Sequence, residues 1–371
     1  MTIPNNLVRL ESEFGQSPWL DNLKRGFITS GQLTKIRDSG IRGLTSNPTI
    51  FQRAIQGSND YDAQLSVLIK EKMSTIDSYW ELVLRDINGA LDVFAPVYES
   101  SNGDDGFVSV EVDPGLAHDS AGTMEAARKL HERINRTNVM IKIPATAEGV
   151  PAIRAMIGEG RNINVTLIFS LDRYREVMNA YIDGLEILAG RCLGSLPAVA
   201  SVASFFISRV DTEIDRRLDE IGSPEAHALR GTAAVAQAKL AYEMFQQTFS
   251  GLRWDALVSR GARLQRPLWA STSTKNPNYS ETMYVDQLIG PNTVNTLPDP
   301  TIEAFLNRGT LARTIDADMD QAREHWNALK DVGIDVENVA VQLEDQGVSS
   351  FQKSFNELIT ALNIKSTQFT T

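Results

Sequence analysis

Charged and polar residues occur at alternate positions of three short segments that are otherwise apolar. Lys142 lies between isoleucines in VMIKIPAT, and Glu111 alternates with valines in FVSVEVD. Asn164 and Thr166 alternate with apolar residues in NINVTLIF. Because successive side chains of a strand point to opposite faces, each segment has one apolar face and one polar face. If helices cover the apolar faces, the polar residues meet inside the fold.

An inward lysine beside a carboxylate is suited to carbonyl chemistry. Only a neutral amine attacks a carbonyl carbon, and the Schiff base that results lets a neighbouring carbon–carbon bond break. Glu111 and the Thr166 hydroxyl are groups that can move protons in such a step. The alternative is structural: an internal ion pair, or exposed charges if these segments are not buried strands. Agreement among three segments favours a site, since buried ionisable groups do not reliably add stability.

The elements that must position these residues recur along the chain. Short β-branched or apolar runs, followed by turns and segments of helical periodicity, are typical of repeated βα units. A closed (β/α)8 TIM barrel accommodates eight such units and carries its active site at the carboxyl ends of the strands. The predicted strands are residues 18–23, 41–47, 107–113, 139–144, 163–169, 198–206, 267–273 and 293–297, and the clearest predicted helices between them are 123–134, 171–188, 211–218 and 232–249.

The remaining chain predicts additions to that barrel. Residues from about 313 onward have helical patterns and no recognisable chemistry, so they are expected to be a C-terminal helical extension that packs against the barrel. No Pro/Gly/Ser-rich linker or low-complexity tract divides the chain, and residues 1–371 are therefore expected to form one domain.

Composition limits the classes of function. The 36 Lys+Arg and 47 Asp+Glu residues give a net charge of −11, which argues against nucleic-acid or membrane partners and requires a local cationic pocket for any anionic substrate. The single cysteine, Cys192, and four scattered histidines predict neither disulfides nor a metal site. The sequence contains no glycine-rich phosphate-binding loop, so no nucleotide cofactor is expected. The acidic N-terminal segment and the lack of a long apolar stretch predict a cytoplasmic protein. The sequence leaves open whether it is a monomer or a homodimer.

Seven motifs in order resemble the transaldolase family, in its longer bacterial form, from about Trp19 to Gly309. They are WLDNL (19–23), GLTSNPTIF (43–51), VSVEVDP (108–114), MIKIPAT (140–146), NINVTLIFS (162–170), SFFISRVD (204–211) and WASTSTKNP (269–277). The resemblance implies an enzyme that moves a dihydroxyacetone unit between sugar phosphates without a cofactor. It implies that Lys142 forms the Schiff base, that Asp21 is the acid/base for carbon–carbon cleavage, and that Glu111 and Thr166 act through a water.

The same resemblance implies a set of binding residues. Asn47 and Asn164 would hold substrate hydroxyls, Ser204 and Phe206 would line the pocket, and Arg209 would bind the phosphate. The short transaldolases have a second arginine after the seventh strand, where this chain has Lys275. Lysine binds phosphate as a point charge, without the bidentate geometry of arginine. The accompanying hydroxyl would come from one of two competing residues, Ser271 or Ser273.

Structural explanations compete with several of these assignments. Asp21 could be a helix N-cap, Asn47 a turn residue before proline, and Arg209 a partner of nearby carboxylates on the surface. Thr166 is also an ordinary strand residue, and Phe206 an ordinary core residue.

Two other functions stay open beside the transaldolase reading. A fructose 6-phosphate aldolase would share the barrel and the lysine. Aldolases of that group, which this chain also resembles, have glutamine at the position of Glu111 and tyrosine at the position of Phe206. A catalytically silent barrel scaffold would be expected to lack site residues, and none is missing here.

Overall fold

The computed structural model describes residues 4–367 and contains a closed barrel of eight parallel strands in chain order. Each predicted strand overlaps an observed one, so the predicted (β/α)8 barrel is confirmed. The strands are β1 Gln16–Leu20, β2 Gly43–Thr45, β3 Val108–Glu111, β4 Val139–Pro144, β5 Ile163–Ile168, β6 Ser201–Phe206, β7 Gln265–Ala270 and β8 Thr293–Leu297.

Helices surround the barrel and continue beyond it. They are α1 Asn6–Phe14, α2 Arg25–Thr29, α3 Gln32–Asp38, α4 Pro48–Gln56, α5 Asp62–Lys70, α6 Thr75–Ser100, α7 Ser120–Ile134, α8 Gly149–Gly158, α9 Leu171–Arg191, α10 Ser208–Ile221, α11 Pro224–Ala228, α12 Ala233–Thr248, α13 Leu252–Val258, α14 Met283–Asp286, α15 Asp299–Arg308, α16 Met319–Asp331 and α17 Val336–Thr367, with a short 3-10 helix at Pro114–Leu116. Within residues 4–367, no helix is both long and apolar enough for a transmembrane span.

Strand register explains why the polar residues of the three segments meet. Glu111 of β3 pairs with Lys142 of β4, and Lys142 pairs with Asn164 of β5. Paired residues of neighbouring parallel strands point to the same side of a sheet, so these three side chains share the barrel interior. Thr166 lies one inward position further along β5, opposite Pro144.

The predicted C-terminal helices follow the barrel, and α17 lies across its carboxyl-terminal end. Thr49 of α4, which follows β2, shares a 2.8 Å hydrogen bond between hydroxyl groups with Ser354 of α17. Arg217 of α10, which follows β6, donates to the Gln342 side chain of α17 at 2.8 Å. The extension therefore packs against the barrel as expected, at the end where a TIM barrel carries its chemistry.

A compact ionic cluster closes the opposite, amino-terminal end. Asp105, just before β3, is 3% exposed and accepts hydrogen bonds from Ser17 (2.7 Å), Arg42 (2.8 Å), Arg266 (3.0 Å) and Trp19 (3.1 Å). Burial opposes ionisation of this carboxyl, but Arg266 and Arg42 outweigh burial and lower its pKa. Because both arginines pair with one buried carboxylate, this cluster stabilises the amino-terminal end of the barrel.

This cluster predicts a pH-dependent loss of stability in the variant Asp105→Asn. Removing the charge leaves two arginines without their buried partner, and the free energy of unfolding should fall by about 3–5 kcal/mol at pH 7. Because the folded pKa of Asp105 is depressed, its contribution is complete above the unfolded value of about 3.9 and is lost as the pH falls through the folded pKa.

Denaturant unfolding of wild type and variant at neutral and acidic pH measures this difference. Asp104→Asn is the matched control, since its side chain is 74% exposed and forms its ion pair with Arg263; its effect should stay within about 1 kcal/mol. Equal stability of wild type and Asp105→Asn at pH 7 would contradict the role given to the cluster.

Candidate active site

Lys142 lies at the centre of the barrel interior, buried on β4. Its Nζ donates to the Ser46 carbonyl at 3.1 Å and lies 3.5 Å from Glu111 Oε2. Ser46 directly follows β2, so residues from three strands enclose the amine. The structure therefore shows this lysine facing inward, as its alternation with isoleucine predicted.

Glu111 and Thr166 each bury a polar atom that has no hydrogen bond to the described residues. These atoms are Glu111 Oε2, whose ion-pair contact with Lys142 is long, and Thr166 Oγ1. Burial raises the pKa of Glu111, and the nearby charge of Lys142 opposes that rise without cancelling it. A buried polar group without a hydrogen-bond partner costs about 1–3 kcal/mol. Two such groups in one interior indicate that an oxygen of a ligand supplies the missing hydrogen bonds.

Asn164 is oriented by hydrogen bonds on both sides of its amide. Its nitrogen donates to Ser109 Oγ at 3.0 Å, and its oxygen accepts from Ser204 Oγ at 2.8 Å. Ser204 on β6 therefore contacts Asn164 on β5, which is paired with Lys142 on β4. Both predicted binding residues, Ser204 and Asn164, lie in the barrel interior.

Asp21 stands directly after β1 and is held by a threonine pair that the sequence interpretation missed. Thr45 Oγ1 donates to Asp21 Oδ1 at 2.8 Å and lies 2.6 Å from Thr296 Oγ1. Burial raises the pKa of Asp21 against the opposing charge of Lys142. The helix-cap alternative for Asp21 is wrong, because α2 begins only at Arg25, after Lys24.

Asn47 is the N-cap of α4, rather than only the turn residue that its position before proline suggested. Its side-chain oxygen caps α4 by accepting from the Ile50 amide at 2.9 Å. The amide nitrogen makes no hydrogen bond to the described residues, so capping leaves it available to a ligand.

Arg209 lies near the start of α10, half-buried, with no ion pair to any residue in the range 4–367. Its guanidinium lies 5.4 Å from the ring centre of Phe206, and burial lowers its pKa. The surface ion-pair alternative is wrong, because Glu213 pairs with Arg216 and Arg217 instead. Arg209 is therefore a desolvated cation with free donors, which is what an anionic ligand requires.

Lys275 lies in the loop after β7, and its Nζ donates to Ser273 Oγ at 2.6 Å. Burial and the nearby charges of Arg209 and Arg53 lower the pKa of Lys275. Of the two competing serines, Ser273 contacts this lysine, whereas Ser271 lies 2.9 Å from Ser208 at the start of α10.

Arg53 of α4 adds a cation that no sequence motif indicated. Like Arg209, it has no ion pair within the described residues. It lines a groove of about 600 Å³ that opens beside Asp21.

Phe206 closes the pocket as an apolar wall. Its ring packs against Phe169 at 5.1 Å between centres, and the side chain is 7% exposed. Within residues 4–367 no group of three or more His, Cys, Asp and Glu side chains could hold a metal ion.

A family model described as transaldolase/fructose-6-phosphate aldolase matches residues 18–362. The chain belongs to that family. The match extends past Gly309, the limit suggested by the motifs, and includes most of α17.

Curated relatives agree along almost the whole chain. A protein named Transaldolase 2 from Streptomyces avermitilis is 47% identical over 355 residues, covering 95% of each chain. The transaldolase of Thermobifida fusca is 48% identical over 352 residues, covering 94% of this chain and 95% of its own. The transaldolase of Trichodesmium erythraeum is 45% identical over 374 residues, covering 98% of both.

The loop that carries Lys275 is tethered to the helix that carries Arg209. Tyr279 donates to Asp215 of α10 at 2.6 Å, and Asp215 also accepts from the Gly231 amide at 2.8 Å. The tether sets the position of one cation relative to the other.

Tyr279→Phe should therefore weaken the binding of inorganic phosphate by about three- to tenfold, roughly the value of one hydrogen bond. Isothermal titration calorimetry measures this change. The matched control is Tyr181→Phe, which loses a 2.8 Å hydrogen bond to the Arg263 carbonyl, just before β7 at the amino-terminal end of the barrel. Equal phosphate affinity in all three proteins would refute the tether.

Proposed function

We propose that the chain is a transaldolase that works through a Schiff base on Lys142. It transfers a dihydroxyacetone unit from a ketose phosphate, sedoheptulose 7-phosphate or fructose 6-phosphate, to an aldose phosphate, glyceraldehyde 3-phosphate or erythrose 4-phosphate, in the non-oxidative pentose phosphate pathway. The observation that carries the proposal is the buried amine of Lys142 beside the Glu111 carboxylate inside the barrel of this family.

The first half-reaction breaks a carbon–carbon bond of the donor. The neutral Lys142 amine adds to the ketone carbon, and loss of water gives the Schiff base. Asp21 removes the proton of the C4 hydroxyl, the C3–C4 bond breaks, and its electrons move into the Schiff base to give an enamine. The aldose phosphate leaves. The raised pKa of Asp21 supports its role as a proton acceptor near neutral pH.

The second half-reaction reverses these steps on another aldehyde. The enamine carbon attacks the acceptor's carbonyl carbon, and Asp21 returns the proton to the new hydroxyl. Hydrolysis of the Schiff base then frees the product and regenerates Lys142. Asn164 and Asn47 would hold hydroxyl groups of the bound sugar through amide groups that stay available.

Glu111 and Thr166 form the proton relay in this proposal. Their unpaired buried atoms, Oε2 and Oγ1, can hold a water that carries protons to and from the carbinolamine. The raised pKa of Glu111 brings the carboxyl closer to the range in which it can exchange a proton.

Arg209 and Lys275 bind the phosphate in this proposal. Neither is neutralised by a carboxylate among the described residues, and the chain as a whole carries a charge of −11. These two cations therefore provide the local positive charge that an anionic substrate needs in an acidic protein. Ser204, Ser271 and Ser273 contribute hydroxyls around the same pocket, and Phe206 excludes water from it.

Glu111 and Phe206 favour transfer over release. Aldolases that resemble this chain have glutamine and tyrosine at these two positions, so a charged carboxylate and an apolar ring distinguish the site from theirs. A scaffold function finds no support, since every predicted catalytic side chain is present.

The proposal includes the setting of the enzyme. A single domain, residues 1–371, would act in the cytoplasm as a monomer or homodimer. The lone half-buried Cys192 suits a reducing compartment.

Fructose 6-phosphate supplied without an aldehyde should give little free dihydroxyacetone, and erythrose 4-phosphate should restore rapid turnover to sedoheptulose 7-phosphate. Lys142→Met should abolish turnover with the fold intact, because a linear apolar chain of similar length fills the space. Lys129→Met is the matched control, since that lysine side chain is 67% exposed and forms a surface ion pair with Glu125. Release of dihydroxyacetone as fast as transfer would favour the aldolase.

A second variant tests why the enamine survives. Glu111→Gln keeps the shape of the side chain but removes its charge, so transfer should slow and the relative yield of dihydroxyacetone should rise. Assay of both products from the same reaction measures the ratio. An unchanged ratio would show that the carboxylate charge does not control the partition.

A further inference from the structure

At Gly347, which is buried, α17 packs against the barrel. A Cβ at this position would lie 2.9 Å from Leu167 Cδ2 of β5 and 3.5 Å from Arg209 Nη1. Glycine inside a helix is about 1 kcal/mol less favourable than alanine. Its presence here allows α17 to lie directly against a strand and a cation of the candidate site.

Leu167 has an unusual backbone. Its φ of 60° is in the left-handed region, which non-glycine residues seldom adopt. At the same point the pairing of β5 with β6 shifts register, between Val165 and Ile168. Such bulges near active sites redirect side chains, and strained backbone persists only where the surroundings hold it.

Thr166, which directly precedes Leu167, lies within this bulge. Its Oγ1 is buried and lacks a hydrogen bond to the described residues, so no polar contact fixes its direction. Its direction therefore depends on the backbone and packing around it, which include the left-handed residue Leu167. Because the leucine side chain is itself fully buried against Gly347, the contact with α17 fixes that backbone.

We propose that Gly347 is a positioning residue of the active site. Its missing side chain lets Leu167 keep its left-handed conformation, and this aims Thr166 Oγ1 at the relay. The inference rests on the proposed function for its kinetic consequences. It also gives α17 a part in catalysis without contact between that helix and the substrate.

Gly347→Ala is the direct test. The added methyl group displaces Leu167, and kcat for transfer should fall about ten- to a hundredfold, as small misplacements of catalytic groups do. The melting temperature should change by only a few degrees, because the strain of displacing Leu167 opposes the helix preference of alanine. Ser349→Ala, on the exposed face of α17, is the matched control and should leave kcat unchanged.

A double-mutant cycle separates positioning from a general effect on structure. Leu167→Ala removes the atoms that a methyl group at position 347 would meet. In that background, Gly347→Ala should cost no more than about twofold in kcat, since contacting residues are not additive. A wild-type kcat for Gly347→Ala, or an equal loss in both backgrounds, would overturn the proposal.

Hydrogen–deuterium exchange tests the same contact without activity. Amides in the peptide covering residues 163–168 should exchange severalfold faster in Gly347→Ala than in wild type, whereas Ser349→Ala should not change them. Unchanged exchange would overturn the proposal. A wild type that transfers nothing would instead contradict the proposed function, and the exchange result would still decide the role of Gly347.

Discussion

The buried pair of Lys142 and Glu111 is the interaction on which the rest of the site depends. Two ionisable groups 3.5 Å apart inside a barrel are costly to desolvate, and a hydrophobic pair of similar volume would be expected to cost less. Their retention makes sense as chemistry. Strand register fixes them beside each other, and the Ser46 carbonyl and Asn164 complete the surroundings of the amine.

The two ends of the barrel differ in whether their charged side chains are paired. At the amino-terminal end, Asp105 accepts hydrogen bonds from two arginines and two further donors, so the charges of this cluster are paired. At the carboxyl-terminal end, Arg209 and Arg53 have no carboxylate partner within residues 4–367, and Glu111 and Thr166 have unpaired atoms. Stability and function are thus separated along the barrel axis, as is usual for this fold.

Alternation along single strands could be predicted from the sequence because it depends only on local geometry. It placed Lys142, Glu111 and Asn164 on one side, and the strand register confirmed that they face the same interior. The strand ends differed by a few residues. The cap on α4 at Asn47 was not predicted, because the residue before a proline indicated only a turn.

Contacts between distant segments could not be predicted in this way. The bond from Thr45 to Asp21, the cation of Arg53 near Lys275, and the approach of Gly347 to Leu167 each join elements far apart in the chain. A threonine, an arginine and a glycine have too many ordinary roles for their identity alone to indicate a site. The bulge at Leu167 carries no signal either, because leucine disfavours the backbone it adopts there.

The central claim is that Lys142 forms a covalent intermediate with the donor. Borohydride reduction in the presence of fructose 6-phosphate, followed by peptide mass mapping, tests it most directly because the reduced adduct stays on the residue that formed it. The account predicts loss of activity and a single modified peptide carrying a dihydroxyacetone-derived adduct on Lys142. An adduct on another lysine, or inactivation that does not require the sugar phosphate, would contradict it.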